Sequence, residues 1–401
     1  MKRIVMFEGG VETLAYFSRQ MAAEFERMGY LVCFYDLKDE KQSARRLRKF
    51  VRTGETVLVT FNFQGLEQEV GVYRESTGYI WDEYRIPCYN IVADHPYFYY
   101  DRLSDLPRDY CHISIDRFHE QYFRKFYPEY VDGGFLPLAG TQLKDIKEHT
   151  AHEEYDVILT GNYTKLSFFD QYINWINEEY AAFYQGIIDE LIQNPGRTIE
   201  EVELRHLARE LGEQPNDALR EVLYNMMFID LYVRNYWRGA VVRTLVNAGI
   251  CVHVVGEGWA ELEDVSLPQN LIVHSQTDSH TCLQMIRHSK ISLNVMPWFK
   301  DGAHDRVFNS ILNGAVCVSD TSRYLCEELS EGEGVCYYEL AGLMKLPDMV
   351  KGLLSDEARR KEIVSRGKEK VSAGHTWSER AKTLAGWFEK KPLQTGEERV
   401  K

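Results

Sequence analysis

Short apolar segments alternate with longer helical patterns along most of the chain. The apolar segments are four to six residues long and hold few polar residues, which is typical of parallel strands that helices cover on both faces. The pattern therefore predicts an α/β fold built from parallel sheets. The predicted strands are residues 4–7, 31–35, 56–61, 89–92, 112–115 and 135–138, then 155–160, 251–255, 271–274, 291–295, 315–318 and 335–338.

A polar stretch at residues 141–154 interrupts this alternation once, after which it restarts. A length of 401 residues suits two or three domains. We predict two doubly wound units whose strands point their carboxyl ends at a central cleft, where α/β proteins place their sites. The predicted divisions are 1–150, 151–375 and a C-terminal helix with a polar tail at 376–401.

The second unit contains an almost wholly helical stretch at about 165–247. We interpret it as a helical insert, broken once at Pro195-Gly196 and again at residues 212–216. Periodic aromatic residues in it, Phe168, Tyr172 and Trp175, are expected to face the core.

The charge and the cysteine content of the chain exclude some classes of protein. Lys and Arg number 47 against 61 Asp and Glu, a formal net charge of −14, so the basic footprint of a nucleic-acid-binding protein is absent and no nucleic-acid partner is expected. The eight cysteines form no CxxC pair, which predicts buried, reduced thiols in a cytoplasmic protein. No apolar run is long enough for a signal peptide or a transmembrane helix.

Several motifs with well-understood chemistry are missing. The chain has no G-x-G-x-x-G, Walker A, Asp-x-Asp or G-x-S-x-G motif, which disfavours dinucleotide oxidoreductases, P-loop kinases, metal-diphosphate clamps and α/β-hydrolases. His149-x-x-His152 has metal-ligand spacing but lies in the polar stretch. We therefore predict no bound metal and no other cofactor.

The segment 292–320 carries the densest polar pattern and reads strand, loop, helix, glycine turn and strand. Its loop delivers His304 and Asp305 to a helix that opens with Arg306. Backbone amides, the helix dipole and an Arg fork together can bind a diphosphate. An ordinary surface Arg at a helix start is the alternative interpretation.

Four short motifs resemble those of CgeB-like, spore maturation type glycosyltransferases, which belong to the GT-B, glycosyltransferase-family-1-like group. The resemblance covers the second unit well and the first unit by pattern only. The four motifs are Arg306-Val307-Phe308-Asn309 followed by Gly314 and Asp320, Gly256-Glu257-Gly258-Trp259, Gly161-Asn162-Tyr163, and His375-Thr376-Trp377 with Arg380.

The resemblance implies a GT-B fold of two Rossmann-like domains, with the last helix crossing back to the first. It also implies a UDP-sugar donor, metal-independent transfer and retention of anomeric configuration. In related enzymes a Glu stands where this chain has Asn309 and bonds the donor ribose. The implied donor-binding residues are Arg306, Asn309, His304, Asp305, Gly256, Gly258, Trp259, Gly161, Asn162 and Tyr163.

Two segments of the first unit are candidates for the acceptor side. Asp94 and His95 directly follow the predicted strand 89–92, where both can reach a substrate, and a His can transfer a proton. The alternative is a loop turned by Pro96. Glu8-Gly9-Gly10 follows the first strand and gives a backbone that an acceptor or phosphate can approach, or a plain tight turn.

The sequence therefore predicts a glycosyltransferase that acts on a glycan, protein or small-molecule acceptor. Two alternatives stay open. One is a non-catalytic nucleotide-sugar-binding protein, which Asn309 favours. The other is a nucleotide-sugar epimerase on the same fold, although no clear pair of carboxylates for elimination and re-addition is visible.

Overall fold

Fourteen strands lie in the described part of the chain, and twelve of them form two parallel sheets of six. The computed structural model describes residues 2–144 and 155–390. The chain divides into one unit of Met1–Leu138 with Thr376–Lys401 and a second unit of Ala139–His375. The boundary predicted near residue 150 lies outside the described residues.

The first unit is a doubly wound sheet with the strand order β2-β1-β3-β6-β7-β8. The strand order reverses direction between β1 and β3, and in such sheets ligand sites form at that switch point. Its strands are β1 (Arg3–Glu8), β2 (Leu31–Asp36), β3 (Thr56–Phe61), β4 (Tyr73–Arg74), β5 (Gly78–Tyr79), β6 (Cys88–Val92), β7 (Tyr110–Ser114) and β8 (Val131–Phe135), and its first helices are α1 (Glu12–Arg27), α2 (Glu40–Phe50), α3 (Ile80–Glu83) and α4 (Arg117–Phe126).

The second unit has the strand order β11-β10-β9-β12-β13-β14, which is the Rossmann order with its switch point between β9 and β12. Its strands are β9 (Tyr155–Thr160), β10 (Val252–Val255), β11 (Leu271–His274), β12 (Ser289–Asn294), β13 (Val316–Ser319) and β14 (Val335–Tyr337). Its helices are α5 (Asp170–Ile173), α6 (Glu178–Gln193), α7 (Ile199–Leu211), α8 (Asn216–Asn225), α9 (Phe228–Asn247), α10 (Ser279–Arg287), α11 (Asp305–Leu312), α12 (Arg323–Glu328), α13 (Leu346–Ser355) and α14 (Glu357–Gly374).

Helices α5 to α9 separate β9 from β10, and local signals set their ends. Asn177 and Thr198 cap α6 and α7 by accepting backbone N–H bonds, which satisfies donors that a helix start leaves open. Pro195 and Gly196 lie between these two helices, and Pro215 directly precedes α8. The insert therefore forms where the helical periodicity predicted it.

The final helix, α15 (Trp377–Lys390), belongs to the first unit and packs on α1. Trp377 stacks on Phe17 with ring centroids 4.3 Å apart. Arg380 donates through Nε to the Pro137 carbonyl at 2.7 Å. The first turn of α15 is thereby anchored to α1 and to the segment after β8. The tail predicted at 392–401 lies outside the described residues.

Three predictions differ from the structure. The strand predicted at 135–138 is wrong: the strand is Val131–Phe135, and Leu136 and Leu138 are buried after it ends. The aromatic stripe of the insert is exposed rather than in the core, with Trp175 82% accessible. All eight cysteines are free thiols, as predicted, but Cys326 is exposed. The prediction that the cysteines are buried is therefore wrong for Cys326.

No helix of the described residues is long and apolar enough to cross a membrane.

Candidate functional site

Arg306 lies at the switch point of the second sheet. Its guanidinium donates through Nε to Thr160 Oγ1 at 3.1 Å and through Nη1 to Asn294 Oδ1 at 2.8 Å. Thr160 ends β9 and Asn294 ends β12, so the Arg fork bridges the two strands that flank the switch point. The side chain is only 6% exposed. Burial lowers the pKa of Arg306 and Asp305 opposes that shift, yet a guanidinium stays charged.

The start of α11 gathers the other predicted polar residues. His304 caps the helix by accepting the Arg306 N–H at Nδ1, at 3.2 Å. Asp305 Oδ1 lies 2.6 Å from the same nitrogen. Burial and nearby Arg306 lower the pKa of His304 against the pull of Asp305. Burial alone would raise the pKa of Asp305, but His304 and Arg306 lower it overall, so the site combines a carboxylate with a guanidinium.

Asn309 uses both halves of its amide. Its Oδ1 accepts the Thr141 N–H at 2.8 Å, and its Nδ2 donates to Asp305 Oδ2 at 2.8 Å. A carboxylate at this position would face Asp305 with no donor between them, which is repulsive. The local geometry therefore explains why an amide suits position 309 of this chain.

The two predicted glycine turns interlock beside Arg306. Asn162 Oδ1 accepts the Glu257 N–H at 3.0 Å, and the Gly161 carbonyl accepts Trp259 Nε1–H at 2.7 Å. Gly256 has φ +147°, and a Cβ there would lie 2.6 Å from the Gly161 carbonyl oxygen. Only glycine permits this approach of two backbones.

The side chains of Tyr163 and Trp259 pack against each other next to these turns. Their rings stack with centroids 5.1 Å apart, and both side chains are buried. A Cβ at Gly258 would lie 1.9 Å from the Tyr163 carbonyl oxygen, so the second glycine is equally required. The structure brings both motifs to the Arg306 site, and these two rings serve packing there.

Arg238 belongs to this site, and the sequence analysis missed it. It donates from α9 to the Asn162 carbonyl at 3.0 Å, and its charge acts on His304. The guanidinium carbons of Arg234 and Arg238 lie 4.7 and 4.8 Å from the centroid of the Trp298 ring. The sequence does contain a signal for this pair: two arginines spaced i,i+4 on one helix lie on the same face of it.

Asp320 fixes the loop that leads to α11. Its Oδ1 accepts the Met296 N–H at 2.8 Å, directly after β12. Burial raises the pKa of Asp320 to about 7. Asp320, the last Asp of the predicted motif, therefore holds the start of the loop that leads to His304 and Arg306. His375 of the fourth motif has a structural contact as well: its ring stacks on that of Phe308, with centroids 4.6 Å apart.

Asp94 and His95 follow β6, as predicted, but their surroundings differ. Asp94 is half-buried, and its Oδ2 accepts the Tyr99 hydroxyl at 3.2 Å and lies 3.5 Å from Asn62 Nδ2. His95 is 2% exposed, against the expectation that its ring emerges from the sheet edge. Its Nδ1 accepts the Tyr97 N–H at 3.3 Å and so caps a short 3₁₀ helix.

The ring of His95 lies among other aromatic side chains, which explains its burial. Its centroid is 4.3 Å from that of Tyr97, 4.6 Å from that of His119 and 4.5 Å from that of Tyr122. Tyr97 and Tyr99 are themselves buried, so these rings form part of the core of the first unit.

The loop Glu8-Gly9-Gly10 lies at the switch point of the first sheet. Glu8 is paired with Arg19 at 3.0 Å. Gly9 has φ +89° and a Cβ there would lie 2.2 Å from Asp36 Oδ1, so the close approach of the next strand's end requires glycine. A tight turn accounts for this loop as well as a phosphate site does.

Asn62 and Phe63 follow β3 at the same edge, and sequence analysis did not single them out. Both have positive φ, 45° and 67°, which is uncommon for non-glycine residues and strained for Phe. Asn62 Oδ1 accepts the Ala93 N–H at 2.7 Å. The strained turn therefore fixes the backbone next to Asp94.

Within residues 2–144 and 155–390, no three His, Cys, Asp or Glu side chains are grouped so that they could hold a metal ion. The candidate His149 and His152 lie outside the described residues.

Residues 237–386 match a family model described as glycosyl transferase-like. No curated protein matches the sequence.

Solved structures match over nearly the whole chain. One is sucrose-phosphate synthase from Thermosynechococcus elongatus, at 11% identity, with 97% of this chain and 99% of that chain covered and a TM-score of 0.55. Another is T4 phage BGT in complex with its UDP-glucose substrate, at 11% identity, 98% and 100% coverage and a TM-score of 0.52. A third is Anabaena HepE in complex with UDP-glucose, at 11% identity, 98% and 100% coverage and a TM-score of 0.50.

These likenesses and the two Rossmann-like sheets define the fold as GT-B, the fold of glycosyltransferases. The GT-B fold that the sequence motifs implied is confirmed. The narrower CgeB-like type stays a prediction.

Proposed function

We propose that the protein is a glycosyltransferase that transfers a sugar from a UDP-sugar to a hydroxyl-bearing acceptor. The observation that carries the proposal is Arg306, a buried guanidinium fixed to the ends of β9 and β12. A charge held at a switch point is poised for an anionic ligand. The phage and Anabaena structures that share the fold hold UDP-glucose, which favours a UDP-sugar as the donor.

Arg238 and Arg306 act on the leaving diphosphate in this proposal. Negative charge develops on the diphosphate as the sugar departs, and fixed cations stabilise that charge without reorganisation. Arg238 is half-exposed and rests on Trp298, so it can reach a ligand directly. Arg306 supplies charge and holds the strand ends. Because fixed cations can take the place of a metal ion at the diphosphate, we propose transfer without a metal ion. The resemblance of the sequence motifs to those of retaining enzymes leads us to propose retention of anomeric configuration.

We propose that the first unit binds the acceptor near Asp94. Asp94 is half-buried directly after β6, and a carboxylate can accept a hydrogen bond from an acceptor hydroxyl. His95 contributes either proton transfer or the cap that holds this turn. His95→Asn separates the two roles because an Asn oxygen can replace Nδ1 as the cap but cannot exchange protons near neutral pH.

The test measures turnover of UDP-sugars by the purified protein in EDTA. We expect release of UDP with and without added acceptors, and unchanged rates after EDTA treatment. Loss of turnover in EDTA with recovery in Mn²⁺ would contradict metal-free transfer. UDP binding without turnover across donors and acceptors would favour a non-catalytic nucleotide-sugar-binding protein, while a changed sugar on the nucleotide would favour an epimerase.

The His95→Asn variant is then compared with wild type in the same assay. If proton transfer is its role, the rate should fall by roughly 10²–10⁴-fold while UDP affinity is unchanged. Wild-type rates would assign His95 to the turn alone.

A further inference from the structure

The helical insert contains an apolar cavity that is separate from the Arg306 site. Its volume is about 770 Å³, within the range of pockets that bind small ligands. Residues of helices α5 to α8, of the loop between α5 and α6 and of the start of α9 line it. Six aromatic rings line it: Tyr172, Trp175, Tyr180, Phe183, Tyr184 and Phe228.

Several of these rings are uncovered, which is unusual for large apolar side chains. Trp175 is 82% exposed and Tyr180 is 47% exposed. Leu207 and Met226 are buried and form an aliphatic floor. Because the rings face open space over a packed floor, the cavity offers flat apolar surfaces to a ligand rather than a closed core.

The polar groups of the cavity decide the kind of ligand. Glu179, Glu210 and Asn225 line it and are exposed, and Tyr172, Tyr180 and Tyr184 bring hydroxyl groups. No Lys, Arg or His is among its lining residues, so an anionic ligand such as a nucleotide or phospholipid would meet only carboxylates. Carboxylates and amides at the rim accept hydrogen bonds from hydroxyls.

We propose that this cavity, the insert groove, binds a neutral glycan. A sugar ring has an apolar C–H face that packs on aromatic rings and an edge of hydroxyls that donate to carboxylates, and the groove presents both partners together. An aliphatic chain has no donor for a hydrogen bond to the carboxylates of Glu179 and Glu210 at the rim.

The position of the groove fits an acceptor chain. Helix α9 starts at Phe228, which lines the groove, and carries Arg238 ten residues later. That is roughly 15 Å along the helix axis at 1.5 Å per residue. A short oligosaccharide spans such a distance, so a glycan held in the groove can extend toward the donor site. In this respect the inference rests on the proposed function.

The test is calorimetric titration of the full chain with a panel of neutral oligosaccharides built from hexoses and N-acetylhexosamines. We expect at least one to bind wild type, and Trp175→Ala to weaken it by about ten-fold or more. Met344→Ala is the matched control, because Met344 is 88% exposed and does not line the groove. It should bind as wild type does.

UDP titrations of the same variants separate this inference from the proposed function. UDP affinity should be equal in wild type, Trp175→Ala and Met344→Ala, whether or not a glycan binds. No binding across the panel, or equal glycan binding by Trp175→Ala, would overturn the groove assignment. Concentration-dependent self-association that Trp175→Ala abolishes, without glycan binding, would also overturn it and assign the groove to a protein interface.

Discussion

Asn309 shows how one residue adapts to its neighbours. Its Nδ2 lies 2.8 Å from an Asp305 oxygen, and its Oδ1 holds the Thr141 N–H. Asn309→Glu removes the donor and adds a second carboxylate, so we expect the free energy of unfolding to fall by about 1–3 kcal/mol. Urea denaturation at neutral pH measures this change.

A double variant provides the control for Asn309→Glu. Asp305→Asn removes the facing charge and supplies a donor, so it should restore at least part of the stability that Asn309→Glu loses. A simple sum of the two single effects would show that the residues do not interact, and Asn309→Glu as stable as wild type would contradict the repulsion.

At the residue scale the sequence predicted positions better than roles. Arg306, His304, Asp305 and Asn309 do meet at one helix start, because a motif of neighbouring residues on a helix carries its geometry with it. Arg238 was missed because its site is made by a helix distant in sequence. The burial of His95 depends on rings from α4, which no local pattern reveals.

Helix α7 of the insert contains a buried carboxyl group, Glu203. It is fully buried, and neither of its oxygens has a hydrogen-bond partner among the described residues. Burial, with nearby Asp230, raises the pKa of Glu203 well above its ordinary value. The folded state therefore keeps a proton that the unfolded state loses as pH rises, and stability falls with rising pH.

Glu203→Gln should remove this dependence because an amide is neutral at every pH in the range. We expect it to raise the free energy of unfolding by about 1–3 kcal/mol at pH 8 and by much less at pH 5. Urea denaturation at the two pH values checks this, with Glu210→Gln, an exposed residue of the same helix, as the control. An equal effect at both pH values would contradict the raised pKa.

Helix α15 should contribute strongly to the stability of the first unit. Trp377 is 2% exposed, stacks on Phe17 and lies edge-on to Phe61 with centroids 5.8 Å apart. Trp377→Ala is expected to cost about 3–5 kcal/mol. Thermal and urea unfolding measure it against Trp175→Ala, whose exposed ring should cost far less.

A loss for Trp377→Ala no larger than that for Trp175→Ala would show that α15 is only loosely attached.

At the element scale the two sheets were predictable because strands buried on both faces are continuous apolar runs. The apolar run 135–138 wrongly predicted a strand, because Leu136 and Leu138 are buried outside the sheet. Burial alone does not make a strand. The insert stripe misled for the opposite reason. Helical spacing of aromatics indicates one shared face, but Phe168 and Trp175 present theirs to solvent.

At the scale of the whole molecule, two Rossmann-like units each place polar residues at the carboxyl ends of their strands. In the second unit these are Thr160 and Asn294, joined by Arg306. In the first they are Asn62 and Asp94. The sequence predicted both edges because parallel strands align their ends. It could not give the switch points, which depend on strand order rather than on any local pattern.

The most direct test of the central claim is calorimetric titration of UDP into wild type, Arg238→Ala, Arg306→Lys and Arg366→Ala. Arg366 is an exposed Arg of the same unit, paired with Glu362, and should behave as wild type. A lost charge-assisted contact predicts about ten-fold to hundred-fold weaker binding for Arg238→Ala, and Arg306→Lys should weaken binding because Lys has no fork. Absence of UDP binding by wild type, or equal affinity in all four proteins, would contradict a nucleotide site at this switch point.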